Sequence, residues 1–263
     1  MTQAERREYL INCLLAERGE KAKIPNDEYN QKRLLRSLFN IRMPKEISEG
    51  FLQIQDEYLQ EENRRKGITD IADLESIQDG IYLWQGDITT LQCDAIVNAA
   101  NSQMLGCFNP CHGCIDNAIH TYAGVQLRGA CYEMMKEQGH EEPTGQAKIT
   151  PAFNLPCDHV IHTVGPIVDG RLTQRDCELL KSCYLSCLKL AEKNSCKSIA
   201  FCRISTGVFG FPQYEAAEIA VNTVKEYQKE HKIEVIFNVF KASDKQIYRE
   251  LLSADQTNSV NLR

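Results

Sequence analysis

The chain lacks any apolar run approaching the roughly 20 residues that a membrane span needs, so no membrane association is expected. Its first residues, MTQAERREYL, place charges where a signal peptide needs an apolar core, so the expectation is no export and a cytoplasmic protein. Positive charge is not in excess. Against 30 Lys and Arg stand 36 Asp and Glu, a net charge of −6, which argues against a nucleic-acid partner because such proteins neutralise phosphates with clustered Lys and Arg. Any anionic ligand must then be held by local features. Cysteine is raised, at 12 of 263 residues, yet sparse for a disulfide scaffold. In a reducing compartment these residues are free thiols or metal ligands. The length suits one large domain or one domain with an appendage.

Residues 3–18, 27–39 and 46–65 read as three helices. In the third, Phe51, Ile54, Tyr58 and Leu59 recur at helical spacing with charged residues opposite. No strand signal precedes about residue 80. Beyond GITDIADLESIQDG, short apolar runs begin to alternate with amphipathic helices, which divides the chain into an N-terminal helical extension, 1–75, and a second part, 76–263. The expected strands are IYLWQG, AIVNAA, QAKIT, HVIHTV, SIAFCRI and EVIFNVF, mostly β-branched and bounded by Gly, Pro, Asp or Asn. Helical patterns cover about 114–138, 175–194, 213–230 and 243–252, and the polar run from Ser253 reads as a frayed tail. Alternating strands and helices predict a layered α/β domain with a sheet covered on both faces.

This map accounts for several cysteines without chemistry. Cys183 and Cys187 share an apolar helical face with Leu180 and Ala191, Cys202 lies in a strand, and Cys13 lies on an apolar helical face. The loop from Asn101 to Tyr122, NSQMLGCFNPCHGCIDNAIHTY, is different because Gly, Pro and Asn break up its cysteines and no apolar period contains them. Cys and His are the usual zinc ligands. Three of them would leave an open, catalytic position, and Cys111 as a fourth would close a structural site. Cys107, Cys111 and Cys114 also show the Cys-x3-Cys-x2-Cys spacing of radical-SAM iron–sulfur loops, though too little chain follows for the barrel that such enzymes use.

Two loops look suited to a diphosphate. In FCRISTGVFGFP an apolar strand opens into a turn with two glycines and then a helix, an arrangement whose amides form an anion site. The turn after NAAN would face it if both leave the carboxyl ends of neighbouring strands, where open α/β sheets bind ligands.

Together, QGDITTLQCDAIVNAAN, AIHTYAG, GQAKITPAFNLPCDHVIHTVGP and STGVFGFP resemble the macrodomain, an ADP-ribose-binding module, over about residues 78–252. The resemblance implies a three-layer α/β/α domain with a mixed, mostly parallel central sheet. Enzymatic macrodomains usually have a glycine run where this chain has CFNPCHGC. That departure, with the N-terminal helices, resembles the zinc-dependent, sirtuin-linked macrodomains of the microbial protein ADP-ribosyl hydrolases. Their Cys-x4-His-x-Cys pattern falls on Cys107, His112 and Cys114, implying one Zn²⁺ per chain.

By the same resemblance Asp87 contacts the adenine amine with Ile88 beside it, and Asn101 contacts the distal ribose. Ser205, Thr206, Gly207, Val208, Phe209, Gly210 and Phe211 wrap the diphosphate. Phe240 stacks on adenine or belongs to the core. Asp116 is a helix cap or the group that orients or deprotonates a nucleophilic water. His120 and His162 read as packing residues. The implied activity is hydrolysis of the bond between mono-ADP-ribose and a protein side chain, with a lipoyl-carrier protein as the implied substrate. A non-catalytic ADP-ribose reader with a structural zinc, or a hydrolase of acetylated ADP-ribose, are the alternatives. The N-terminal helices read as a structural cap or as a partner-recognition element.

Overall fold

The structure, a computed structural model, describes the backbone of residues 1–260 and side chains through residue 253. Three helices come first: α1 (Gln3–Glu17), α2 (Glu28–Ile41) and α3 (Glu49–Lys66). Each starts where a side-chain oxygen takes up an open first-turn amide. Thr2 accepts from the Glu5 amide, Asp27 from that of Asn30 and Ser48 from that of Phe51. Their apolar stripes meet in a core of their own that includes Leu10, Ile11, Leu35, Leu38, Phe51 and Leu59.

The rest of the chain runs β1 (Thr69–Asp70), β2 (Ser76–Gln78), β3 (Ile81–Gln85), β4 (Leu91–Gln92), β5 (Ala95–Ala100), α4 (Ile115–Ala123) and α5 (Val125–Gln138). It continues with β6 (Ala147–Pro151), β7 (His159–Val164), α6 (Gln174–Lys193), β8 (Ser198–Phe201), α7 (Gln213–Gln228), β9 (Glu234–Val239) and α8 (Ala242–Val260). Seven strands form one sheet in the order β2-β3-β9-β8-β5-β7-β6, while β1 pairs with β4. The five central strands are parallel, and only the edge pairs β2/β3 and β6/β7 are antiparallel.

Strand residues alternate between two cores, as the two-residue period requires. Val97, Ile161, Phe201 and Phe237 pack under α6, α7 and α8 with Leu180, Cys183 and Tyr184. Ile96, Val160, Ala200 and Ile236 pack under α4 and α5 with Ile119, Leu127 and Cys131. The result is the three-layer α/β/α arrangement, with the N-terminal helices added beside α4 and α5. Cys183, Cys187 and Cys202 are buried core thiols, Cys13 packs at the edge of the helical core, and all twelve cysteines are free. No helix among the described residues is long and apolar enough to cross a membrane.

Three local expectations are corrected. The single helix read over 114–138 is two, because Gly124 adopts φ +95° and its amide proton and carbonyl no longer continue the ladder of α4. Short strands precede residue 80, since β1 and β2 are too brief to show an apolar period. The run from Ser253 does not fray at once: α8 continues to Val260, and residues 261–263 lie outside the described residues.

The extension is fastened to the α/β layers by polar side chains. On α3, the Gln55 carbonyl accepts from the Val125 amide at 2.9 Å, Asn63 donates to the Asn154 carbonyl at 2.8 Å, and Asn154 donates to Asp56 at 2.7 Å. Gln55 thereby takes up an amide at the start of α5 that no cap of its own satisfies.

Candidate metal centre and nucleotide cleft

Because β3, β9, β8, β5 and β7 run parallel, the segments following each of them leave the same edge of the sheet. These segments carry Asp87, Phe240, Ser205 to Phe211, Asn101 to Cys114, and Gly165 to Val168. With Asp116 in the first turn of α4, directly after Cys114, the site residues read from the sequence gather at this edge, the place where an open α/β sheet takes a ligand. The segments are tied to one another. Val168 donates its amide to the Phe209 carbonyl at 2.8 Å, and Gln85 donates to the Phe240 carbonyl at 3.3 Å.

The loop after β5 brings Cys107, His112 and Cys114 together. Their donor atoms lie within 4.8 Å of one another, with 3.6 Å between Cys107 Sγ and His112 Nδ1. Ligands about 2.3 Å and 2.0 Å from one tetrahedral ion are themselves about 3.6 Å apart, so this spacing fits a shared metal. Two thiols and one imidazole form a donor set that suits zinc and leaves one position open. Burial, with Cys107 close by, pushes the Cys114 thiol up to about 12, against the Asn117 amide that favours the thiolate. A bound cation would have to displace that proton, so metal binding and deprotonation are linked.

Cys111 stands apart. It is left-handed, at φ +54°, its amide donates to Asn40 Oδ1 at 2.9 Å, and its thiol donates to the Arg33 carbonyl at 3.4 Å. A second buried group, His120, Cys131 and His162, also has its donor atoms within 4.8 Å of one another. Here His162 is engaged with Thr150 at 3.0 Å and Asn98 at 3.2 Å, which agrees with a packing role. Burial drives His162 down to about 4, so it is neutral at physiological pH.

Asp116 is not the cap of α4. Cys114 occupies that position, its sulfur accepting from the Asn117 amide at 3.4 Å, and the Asp116 carboxyl turns inward. Asn98 donates to Asp116 Oδ1 at 2.8 Å, and Asn101 approaches Oδ2 at 3.5 Å. Burial raises the carboxyl to about 6, opposed by the Asn98 hydrogen bond and by Arg128. The two residues expected to be catalytic, Asn101 and Asp116, are thus neighbours. Asn98 is the residue the sequence reading missed, and its signal was a polar amide inside the otherwise apolar strand AIVNAA.

The loop after β8 is a tight turn. The Phe211 amide donates to the Ser205 carbonyl at 3.0 Å and that of Gly210 to Gly207 at 3.1 Å, with Ser205 at φ +63°. Gly207, Val208 and Gly210 are exposed, Thr206 and Phe209 are half-buried, and Ser205 and Phe211 are buried, so these last two have only their main chain to offer a ligand. Arg203, at the base of the turn, is paired with buried Asp244 at 2.6 Å. No side chain caps α7, which starts directly after this turn, and its first amides remain open for an anion.

At the far end of the edge, Asp87 bonds the Thr89 amide at 3.0 Å and meets Lys66 of α3 at 3.1 Å. Burial works to raise this carboxyl, but Lys66 and Thr89 outweigh it and hold it below the usual carboxylate range. Ile88 is only 1% exposed, which leaves its main chain for any contact. Phe240 is 76% exposed and so is not a core residue.

Similarity to known proteins is extensive. A family model described as Macro domain matches residues 97–220. A protein-ADP-ribose hydrolase of Treponema medium is 58% identical over 261 residues, covering 96% of this chain and all of that one. The Oceanobacillus iheyensis macrodomain with ADP superposes with a TM-score of 0.64 at 39% identity, over 70% of this chain and 96% of that chain. A Trypanosoma brucei macrodomain in complex with ADP-ribose gives a TM-score of 0.64 at 29% identity, over 82% and 94% of the two chains.

Proposed function

This chain belongs to the macrodomain family, alongside proteins named protein-ADP-ribose hydrolase, and from that premise we propose that it removes mono-ADP-ribose from modified protein side chains with the help of zinc. The observation that carries the zinc dependence is the convergence of Cys107, His112 and Cys114 on one short loop, which Asn101 joins through the Gly106 carbonyl and which leads directly into Asp116. Those three residues would hold the ion. When bound, zinc supplies a Lewis acid softened by two thiolates, able to polarise an oxygen at the reacting end of the substrate.

The chain's own residues do the positioning. Amides of the Ser205 to Phe211 turn and of the first turn of α7 hold the diphosphate, Asp87 accepts from the adenine amine, and Phe240 covers the base. Binding energy from these remote groups sets the distal ribose beside Asn101. Asp116, held by Asn98 on one oxygen, orients or deprotonates the attacking water.

A lipoyl-carrier protein, the substrate implied by the sirtuin-linked resemblance, is the acceptor to test first. The reaction belongs in the cytoplasm, where a reducing milieu keeps Cys107 and Cys114 available to a metal. The test is release of free ADP-ribose from a mono-ADP-ribosylated protein. Turnover is expected to stop on chelation and return with zinc. Full activity of metal-free protein would sink the zinc dependence, and binding without release would leave only a reader.

A further inference from the structure

The metal loop is gripped from outside the α/β domain. Arg36 of α2 donates Nε and Nη2 to Asn117 Oδ1 at 3.0 Å and 2.7 Å, and its Nη2 also donates to the His112 carbonyl at 3.0 Å. Asn117, in the first turn of α4, is buried and directs both its side-chain NH2 and its backbone amide onto this loop. Its side-chain amide donates to the Cys107 carbonyl at 3.4 Å and to the Asn109 carbonyl at 3.0 Å, while its backbone amide donates to Cys114 Sγ at 3.4 Å. The Arg36–Asn117 pair therefore touches all three candidate ligands: Cys107 and His112 through their carbonyls, and Cys114 through its sulfur.

We propose that Arg36, on the N-terminal extension, is a positioning residue for the metal, acting through Asn117 to hold Cys107, His112 and Cys114 in ligating geometry before the ion arrives. The inference rests on the zinc reading given above. Its physical basis is the guanidinium fork, which bonds Asn117 and His112 at once and so locks one turn of loop against one turn of helix. A loop carrying glycine and proline would otherwise pay the ordering entropy when the metal binds. Partners behind the ligands commonly tune metal affinity in this way. The extension is then part of the metal centre rather than a cover for apolar surface.

The test measures zinc affinity by competition with a chromophoric chelator, together with thermal unfolding of the metal-free proteins. Wild type is compared with Arg36→Gln, Arg36→Lys and Arg6→Ala, the last removing an ion pair between α1 and α3 that is remote from the loop. Arg36→Gln is expected to weaken zinc binding roughly 10- to 100-fold. Arg36→Lys keeps the charge and stem without the fork and weakens binding by less, and Arg6→Ala leaves the affinity unchanged. Cobalt-substituted protein gives a second readout, in which the Arg36 variants alter the visible ligand-field bands. Wild-type affinity and spectra in both Arg36 variants would overturn the inference. So would an equal affinity loss in Arg6→Ala, which would mean general loosening of the extension. If wild type itself binds no zinc, the zinc reading fails and this inference goes with it.

Discussion

The Cys111 thiol donates to the Arg33 carbonyl at 3.4 Å, so the cysteine that spacing alone would allow as a fourth metal ligand is spent on helix α2. Its left-handed backbone, with the amide taken by Asn40, turns the side chain out of the cluster formed by Cys107, His112 and Cys114. Cys111→Ala is accordingly expected to retain one zinc per chain, and Cys107→Ala, His112→Ala and Cys114→Ala each to lose it. Elemental analysis of the four purified variants checks this. Zinc lost from Cys111→Ala alone would show that the ligand set is wrong.

Asp116 tests the chemical role of the neighbouring carboxylate. Asp116→Asn keeps an acceptor for the Asn98 amide, so the local hydrogen bonding survives while the proposed base is removed. Hydrolysis is expected to fall by roughly 10²- to 10⁴-fold, the range for removal of a general base. Free ADP-ribose should still bind with near wild-type affinity by calorimetry. An unchanged turnover rate would reassign Asp116 to a structural role.

How much of this was legible in the sequence depends on range. The strands AIVNAA and HVIHTV occur at the very positions read from the sequence, because burial on both faces of a parallel sheet leaves short runs whose apolar residues stand out despite Asn98 and His162. The loop residues were legible only by resemblance, since spacing could not say which three of four donors converge. Arg36 and Asn117 were not legible. They lie 81 positions apart, and nothing local marks an arginine on an amphipathic helix as the partner of a distant asparagine. Gly124 was passed over because a single glycine within an apolar helical period does not announce its φ.

Phe240 separates binding from folding. At 76% exposure it contributes little to the core, so Phe240→Ala should unfold at the wild-type temperature. If its ring covers adenine, ADP-ribose affinity falls about tenfold or more, in line with about 1–3 kcal/mol for stacking of one base on an aromatic ring. Equal affinity in the two proteins would remove Phe240 from the cleft.

Acid stability reports on His162. Burial lowers its folded pKa to about 4, against an ordinary value of 6.5. Below pH 6.5 the unfolded chain therefore takes up a proton that the native state refuses, and stability falls until about pH 4, where the native state also protonates. The loss over that window is on the order of 3 kcal/mol. Asp116, raised to about 6 by burial, pulls the opposite way over part of the same range, so the difference between two proteins is the cleaner measure. Urea unfolding at pH 7 and pH 4.5 should show wild type losing about 2–3 kcal/mol more than His162→Gln. Parallel losses in the two proteins would mean that His162 titrates alike in the folded and unfolded chain.

Gly106, immediately before the candidate ligand Cys107, is constrained twice. Its φ is +80°, and a Cβ there would lie 2.7–2.9 Å from ring atoms of buried His120. The backbone conformation costs an alanine roughly 1–3 kcal/mol, and the ring has little room to yield because His120 is enclosed. Gly106→Ala should therefore destabilise the protein and weaken metal retention by displacing Cys107. The two constraints can be separated with His120→Ala, which removes the ring but not the φ requirement. In a double-mutant cycle the steric part appears as a coupling of roughly 0.5–3 kcal/mol, with the double variant less damaged than the sum of the single ones. Strict additivity would mean that the loop moves away from His120 without cost, and would leave the backbone conformation as the whole reason for glycine at this position.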